Sequence, residues 1–341
     1  MSTEFHTAVV EITNRCNLSC IHCASNSGEA REMELSVTEF DGIFSTLKRS
    51  GFQEVVLLGG EIFMRKDWLL ICESVRESGL DYVLITNGVM LPHFLPKLLH
   101  VKPVRIGVSI DGATRESYSN IRRGDHYDTV LKTILGLPEH FDQVSAITTF
   151  MHSNLADFDR FVSLWENSPI VWQIQMAHKA GERFPDSELL TNDDYAWLVD
   201  KVRMALQTKL ETLKLQLMDD FGYHALDPTF KFINQLWSGC QAGKRTIGIR
   251  SNGDVLGCLS LGDAFIEANC RAVPLEEILL SGKYFSRFAK RKLQGQCAFC
   301  PVANDCGAGC TAMAFHADTG CYDNPFCIRK TEMNELFRNV V

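Results

Sequence analysis

The sequence predicts an α/β fold in which strands and helices alternate, followed by a smaller cysteine-rich region. Three observations carry that prediction. Six short runs of β-branched and apolar residues recur along the first half of the chain. Amphipathic stretches of helical period separate them. Near residue 191 the alternation stops, and cysteine and glycine become frequent beyond it.

The expected strands are residues 8–13, 55–59, 82–86, 105–110, 144–150 and 171–176. The helical patterns between them are 36–50, 67–78, 92–99, 127–137 and 155–166. Ser36 followed by Glu39 is a capping box at the start of the first helix. Six strand–helix units in series imply parallel strands joined by right-handed crossovers. Such units close as a full or partial barrel or open into a doubly wound sheet. In every case ligands sit beyond the carboxyl ends of the strands. Past residue 191 a long helix is expected at 193–210, an irregular stretch at 219–228, and a hairpin of strands 246–250 and 255–258 around Ser251-Asn252-Gly253-Asp254. A last helix is expected at 329–339. The domain boundary is placed near Phe230, giving domains of residues 1–230 and 231–341.

Composition narrows the function classes. The 341 residues include 45% hydrophobic and 22% charged residues, the balance of a globular protein. Thirty-four Lys and Arg against 42 Asp and Glu give a net charge of −8, the wrong sign for a protein that binds nucleic acid by neutralising phosphates. No apolar run reaches the ~18 residues that span a bilayer. The first eight residues have neither the basic nor the apolar segment of a secretion signal. A cytoplasmic protein that contacts neither membrane nor nucleic acid is expected.

The 13 cysteines are the most informative feature. An odd number cannot all pair, and a reducing compartment favours thiols or metal thiolates. They are clustered. Cys16, Cys20 and Cys23 lie together, Cys72 stands alone in an apolar helical stretch, and nine fall from Cys240 to Cys327. Two metal-binding regions are the simplest reading. Cys16-x3-Cys20-x2-Cys23 sits on the loop after the first strand. Three thiolates on one loop can hold three irons of a cubane cluster and leave the fourth without a protein ligand, which is the arrangement of a catalytic site. A zinc site or free thiols is the alternative.

The triplet resembles the signature of radical S-adenosylmethionine (SAM) enzymes. The resemblance continues at later strand ends over about the first 200 residues. Gly59-Gly60-Glu61 is similar to the family motif that receives the SAM methionine amino group. Ser109 and Asp111 match the strand that touches the ribose. His22 occupies the position beside the adenine, and Asn87, Gln175 and Met176 fall where further SAM contacts are found. Taken alone, a Gly-Gly-Glu can be a tight turn, and Ser109 and Asp111 can be helix caps. The resemblance implies a partial (β/α)6 TIM-like barrel. It also implies an oxidoreductase activity in which reductive cleavage of SAM yields methionine and a 5′-deoxyadenosyl radical that abstracts hydrogen from a substrate. An external electron donor, flavodoxin or ferredoxin, is then required.

The C-terminal cysteines resemble the SPASM extension of the same enzymes, which houses one or two auxiliary 4Fe–4S clusters. Cys240-x12-Gly253-x4-Cys258 is followed by Cys297-x2-Cys300-x5-Cys306-x3-Cys310 and then Cys327. The resemblance implies that Cys240, Cys258 and Cys310 bind a first auxiliary cluster, and Cys297, Cys300, Cys306 and Cys327 a second. Two departures stand out. Thr246 replaces an expected cysteine, which leaves the fourth ligand of the first cluster open among Cys270, Cys321, a non-cysteine residue and the substrate. Leu259 follows Cys258 where some members carry a catalytic carboxylate. Thiolates with CxxC spacing suit zinc equally well, so a zinc ribbon remains the alternative here too.

The remaining candidates are Cys270 and Cys321 as hydrogen-atom donors or buried small hydrophobes, and Asp220 in Asp219-Asp220-Phe221-Gly222-Tyr223-His224 as an acid–base group or part of a solvated linker. Trp165, Trp172 and Trp197 are expected to pack. The SPASM resemblance points first to maturation of a ribosomally made peptide by cross-linking, epimerisation or oxidation. The first strand starts near residue 8, so a peptide substrate is expected to need a separate recognition protein or a short leader held at the sheet edge. The alternatives are a radical dehydrogenase, epimerase or decarboxylase acting on a small molecule such as a sugar or antibiotic intermediate, and an iron–sulfur electron carrier or zinc-binding module.

Overall fold

The computed structural model describes residues 5–232, 239–289, 291–317 and 323–338. Its first part alternates β1 (Thr7–Glu11), α1 (Val37–Arg49), β2 (Glu54–Leu58), α2 (Trp68–Glu77), β3 (Asp81–Thr86), α3 (Leu91–Val101) and β4 (Arg105–Ser109). Then come α4 (Arg115–Arg122), α5 (Tyr127–Gly136), β5 (Val144–Phe150), α6 (Phe158–Trp165), β6 (Val171–Met176), α7 (Asn192–Lys209) and β7 (Leu215–Leu217). The C-terminal part holds β8 (Thr246–Ile249), β9 (Asp254–Leu256) and β10 (Ile266–Asn269). It ends with α8 (Leu275–Leu280), α9 (Ser286–Ala289), α10 (Ala303–Cys306), α11 (Thr311–His316) and α12 (Ile328–Arg338).

The six expected strands are present with ends shifted by at most two residues. All seven strands from β1 to β7 pair in parallel, in sequence order. The sheet does not close on itself, since its edges are β7 and β10. Six strand–helix units on such an open, curved parallel sheet make a partial (β/α)6 barrel. Strand β5 is buried at all seven positions, as a parallel strand covered on both faces must be, while β2 and β6 alternate. The helices bury one stripe each. In α1 that stripe is Phe40, Ile43, Phe44 and Leu47, and both halves of the Ser36–Glu39 capping box are formed.

Beyond β7, β10 and α8–α11, which the sequence pattern does not predict, three features differ from expectation. Residues 152–157 wind as a 3-10 helix before α6. Asn154 fixes that turn, accepting from Met151 N (2.8 Å) and donating to Asp111 O (2.8 Å) and Thr149 O (3.0 Å). Helix α4 was absent from the periodic pattern because its sequence, RESYSNIR, is mostly polar; Thr114 and Ser117 cap it reciprocally. Trp165 and Trp172 are fully buried, but Trp197 is 38% exposed, its ring edge-on to Phe158 with Lys201 above it.

The hairpin β8–β9 does not stand apart. Strand β8 runs parallel to β1, with Ala8 opposite Ile247 and Val10 opposite Ile249, so one ten-stranded sheet passes through both parts of the chain. The hairpin turn is locked to the barrel by a buried polar cluster. Ser251 Oγ donates to Glu11 Oε1 (2.9 Å), and Leu35 N donates to Ser251 O (2.6 Å). Arg31 closes bidentately on Glu11 (2.6 and 2.9 Å). Gly253 permits the turn with φ of +92°. Among the described residues no helix is long and apolar enough to cross a membrane.

Candidate active site: two sets of thiols on one cavity

Strand β1 delivers the chain to the loop that carries Cys16, Cys20 and Cys23. Backbone bonds hold the loop's base: Cys16 N donates to Gly28 O (3.0 Å) and Gly28 N to Asn14 O (3.0 Å). The Gly59–Gly60 pair after β2 packs against it so closely that a Cβ on Gly60 would lie 2.4 Å from Arg15 O, and one on Gly59 2.5 Å from Thr13 O. Only glycine fits there.

Each thiol of the triplet receives a donor. Leu18 N approaches Cys16 Sγ (3.5 Å), Ser27 N approaches Cys23 Sγ (3.4 Å), and Arg122 Nη1 approaches Cys20 Sγ (3.8 Å). Burial nevertheless pushes Cys16 up to about 11 and raises Cys20, and the mutual repulsion of the three thiols adds to the rise. Thiolates so placed need a cationic centre, which an iron–sulfur cluster supplies. The donor set fits that group. Among the described residues, no three His, Cys, Asp or Glu converge tightly enough to hold a single metal ion.

The other strand ends surround this loop. Fully buried Glu61 accepts from Asn87 N (2.8 Å), Thr86 Oγ1 (2.8 Å) and Phe63 N (3.3 Å), and burial raises its carboxyl to about 6. Asn87 in turn donates to Asn17 Oδ1 (2.8 Å) and approaches Cys16 Sγ (3.9 Å). After β4, Asp111 is completely buried. Its Oδ2 faces His22 Nε2 (3.2 Å) and Arg122 Nε (2.5 Å), and its Oδ1 accepts from Thr149 N (2.7 Å). Burial favours the neutral acid, but the Arg122 and His22 charges outweigh it and hold Asp111 well below the usual carboxylate range.

A cavity of about 440 Å³ opens over these loops. Gly59, Gly60, Asn87, Ser109, His22, Gln175 and Met176 all line it, as do the three thiols. Glu61 and Asp111, expected to touch the cofactor, stand behind its wall and act on Asn87, His22 and Arg122. Arg122 lines the cavity and is the residue the sequence reading missed. It lies at the end of the polar helix α4, where no spacing or motif marks it.

The far wall carries Cys240, Cys258 and Cys310. Burial pushes Cys258 up to about 11 and Cys310 well above the usual thiol range, with Cys240 adding to both. Asp220 closes the wall between them and β6. Its Oδ2 accepts from Met176 N (2.6 Å), and burial, reinforced by Asp219, raises it to about 7. Thr246, at the start of β8, also faces this cavity. Cys297, Cys300, Cys306 and Cys327 surround a separate small cavity, and burial pushes Cys297 up to about 12.

Cys270 does not reach the site. It follows β10, packs at the Gly253 turn and lies beside Arg271, which pairs with Glu39 of α1 (2.5 Å). The cavity lining excludes it, so neither the hydrogen-donor nor the fourth-ligand role has geometric support. Cys321 lies outside the described residues.

Comparison with known proteins agrees with this architecture. The radical SAM superfamily profile matches residues 10–164, and the SPASM iron–sulfur cluster-binding domain matches residues 240–301. The AdoMet-dependent heme synthase of Methanosarcina barkeri is 27% identical over 93% of this chain and 95% of its own length. The mycofactocin maturase MftC of Mycobacterium tuberculosis is 27% identical over 89% of this chain and 78% of its own. Among solved structures, Streptococcus suis SuiB bound to precursor peptide SuiA superposes with a TM-score of 0.76 at 17% identity, covering 96% of this chain and 75% of SuiB. AnSMEcpe with bound AdoMet superposes with a TM-score of 0.71 at 13% identity, covering 97% and 96%. With its cysteine triplet at the end of β1 and its second set of thiols across the cavity, this chain belongs to the radical S-adenosylmethionine superfamily and carries a C-terminal SPASM iron–sulfur cluster-binding domain.

Proposed function

We propose that the chain uses a SAM-binding 4Fe–4S cluster and auxiliary clusters to modify a peptide by hydrogen abstraction. The observation that carries this reading is the single cavity bordered by Cys16, Cys20 and Cys23 on one side and by Cys240, Cys258 and Cys310 on the other. A substrate between them lies within reach of both. Cys16, Cys20 and Cys23 would hold the SAM-binding cluster. Cys240, Cys258 and Cys310 would hold the first auxiliary cluster, and Cys297, Cys300, Cys306 and Cys327 the second. When bound, the first cluster and SAM supply one-electron cleavage and a radical able to abstract hydrogen.

The chain's own residues do the positioning. Gly59 and Gly60 let the second strand end lie flat against the cysteine loop. Glu61 fixes Asn87 through its backbone N–H, while Arg122 and His22 are held by Asp111. Gln175 is tied to Thr149 Oγ1 (2.8 Å) at the end of β5. Asp220, on the cavity wall and titrating near neutrality, suits transfer of a substrate proton.

The peptide reading draws support from SuiB, solved with a precursor peptide. A small-molecule substrate is the second reading, favoured by the nearly end-to-end match with the heme synthase. Anaerobic reconstitution tests the common part. About twelve irons per chain are expected for three cubanes, with 5′-deoxyadenosine formed on reduction with SAM. A triple Cys16/Cys20/Cys23→Ala variant should form none; cleavage surviving in it overturns the assignment. Candidate peptides and small molecules are then compared by substrate-dependent deoxyadenosine formation above the basal rate.

A further inference from the structure

The loop that follows β6 carries His178 and Arg183, and both line the active-site cavity. This loop is seated on the cysteine loop after β1. A Cβ on Gly181 would lie 2.1 Å from Cys23 O, Glu182 N donates to Asn26 Oδ1 (2.8 Å), and Arg183 Nη1 donates to Ser27 O (3.0 Å). The rest of the Arg183 guanidinium is unsatisfied. Among the described residues no acceptor meets its Nε or Nη2, although both nitrogens are buried. Those two nitrogens share one edge of the guanidinium plane, whose parallel N–H bonds match the two oxygens of a carboxylate. This chain uses that edge for that purpose in Arg31 on Glu11 (2.6 and 2.9 Å), Arg65 on Asp67 (2.6 and 3.2 Å) and Arg271 on Glu39 (2.5 and 2.9 Å). Arg122, also on the cavity, already has Asp111 as its partner. A buried guanidinium without an anion is costly, and the cavity that Arg183 lines is a route by which one can arrive.

His178 stands five residues before it on the same loop. Its ring stacks on that of His316 in α11, with centroids 5.0 Å and planes 4° apart. His316 Nε2 donates to Ser260 O (3.2 Å), and Ser260 belongs to the same lining. The stacked pair thus joins the loop after β6 to the C-terminal part beside the cavity. Burial, reinforced by His316, lowers His178 to about 3, so its ring is neutral at pH 7. Its Nδ1 is buried and has no partner among the described residues. We infer that Arg183 binds a carboxylate of the substrate through its Nε–Nη2 edge, with His178 Nδ1 as a second, uncharged contact. The substrate class is then a compound with a free carboxylate, carried by a peptide or by a small acid. The inference rests on the reading of this cavity as the substrate site of a radical enzyme.

The test uses the anaerobically reconstituted holoenzyme saturated with SAM, because SAM carries a carboxylate of its own. Two pairs of probes are titrated by ligand-observed NMR. One is 3-phenylpropionate with its amide, and the other is acetyl-Ala-Ala-Phe with a free or an amidated end. In at least one pair the acid should bind about tenfold tighter than the amide, and the pair with the larger preference separates small acid from peptide. Arg183→Gln should bring acid and amide within about twofold of each other, and Arg183→Lys should keep part of the preference. His178→Phe, which keeps a flat ring against His316, should weaken the acid about threefold and leave the amide unmoved. Iron content and SAM affinity should be unchanged in all three variants. Equal binding of acid and amide by the parent, in both pairs, overturns the proposal without any variant. A preference that survives Arg183→Gln places the carboxylate on another group and overturns it as well. A tenfold loss of SAM affinity in Arg183→Gln assigns the edge to SAM, with the same result. The underlying reading fails by a separate measurement, the absence of SAM binding and of 5′-deoxyadenosine in the parent, and the proposal falls with it.

Discussion

Arg122 sets its Nε 2.5 Å from the buried Oδ2 of Asp111 and turns a second nitrogen toward Cys20 Sγ, 3.8 Å away. One side chain therefore ties the helix after β4 to the cysteine loop after β1. Arg122→Ala would leave Asp111 charged, buried and facing only His22. The expected loss is about 3–5 kcal/mol of folding stability, together with weaker SAM binding. Arg122→Lys should recover part of the stability but less of the binding, because one ammonium cannot span both partners. Denaturant unfolding and calorimetric SAM titration measure the two effects.

Asp220 supplies a pH dependence. Burial raises it from about 3.8 to about 7, so the unfolded chain releases this proton more readily than the folded one. Its stabilising contribution is complete below about pH 4 and is lost as pH rises through 7. The size is on the order of 4 kcal/mol. Asp220→Asn keeps an oxygen to accept from Met176 N. The variant should unfold with a flatter profile between about pH 4 and 7 and be more stable at pH 8. A slower turnover of bound substrate is expected alongside.

Gly60 tests how tightly the cysteine loop is seated. A methyl group there meets backbone oxygens of Arg15 and Asn14 at 2.4 and 2.6 Å, and neither can rotate away. Gly60→Ala should cost about 1–3 kcal/mol and lower the iron bound after reconstitution by about one cluster's worth. Gly42→Ala, with open space around it on α1, should do neither.

Cys270 provides the opposite test. Its position by the Gly253 turn, outside the cavity, predicts that Cys270→Ala leaves iron content and deoxyadenosine formation within about twofold of the parent. Loss of about four irons would return it to the set of cluster ligands.

Much of the barrel could be read from the sequence because each strand had to be apolar and each helix had to be apolar on one side. Val144–Phe150 and Val171–Met176 fall where the pattern put them, since β5 is buried throughout and β6 buries every second residue. The cysteine positions were legible for a chemical reason: few other roles explain three thiols in eight residues.

What escaped was whatever depends on contacts between distant segments. Arg122 sits on a helix too polar to show a hydrophobic stripe, and its value comes from a carboxylate eleven residues earlier. Glu61 and Asp111 were expected to touch the cofactor by resemblance to family motifs, yet neither lines the cavity and each is held by the groups it accepts from. Cys270 looked available because its surroundings are set by β9 and α1, elements that spacing along the chain cannot bring together.

The pairing of β8 with β1 carries one more consequence. Without the residues that follow Phe232, β1 would be an uncovered border of the barrel, with the N–H and C=O groups that now face β8, those of Thr7 among them, pointing outward. Such a border recruits strands from other molecules. A shortened protein should therefore gather into oligomers or fibrils rather than persist as a small, separate barrel.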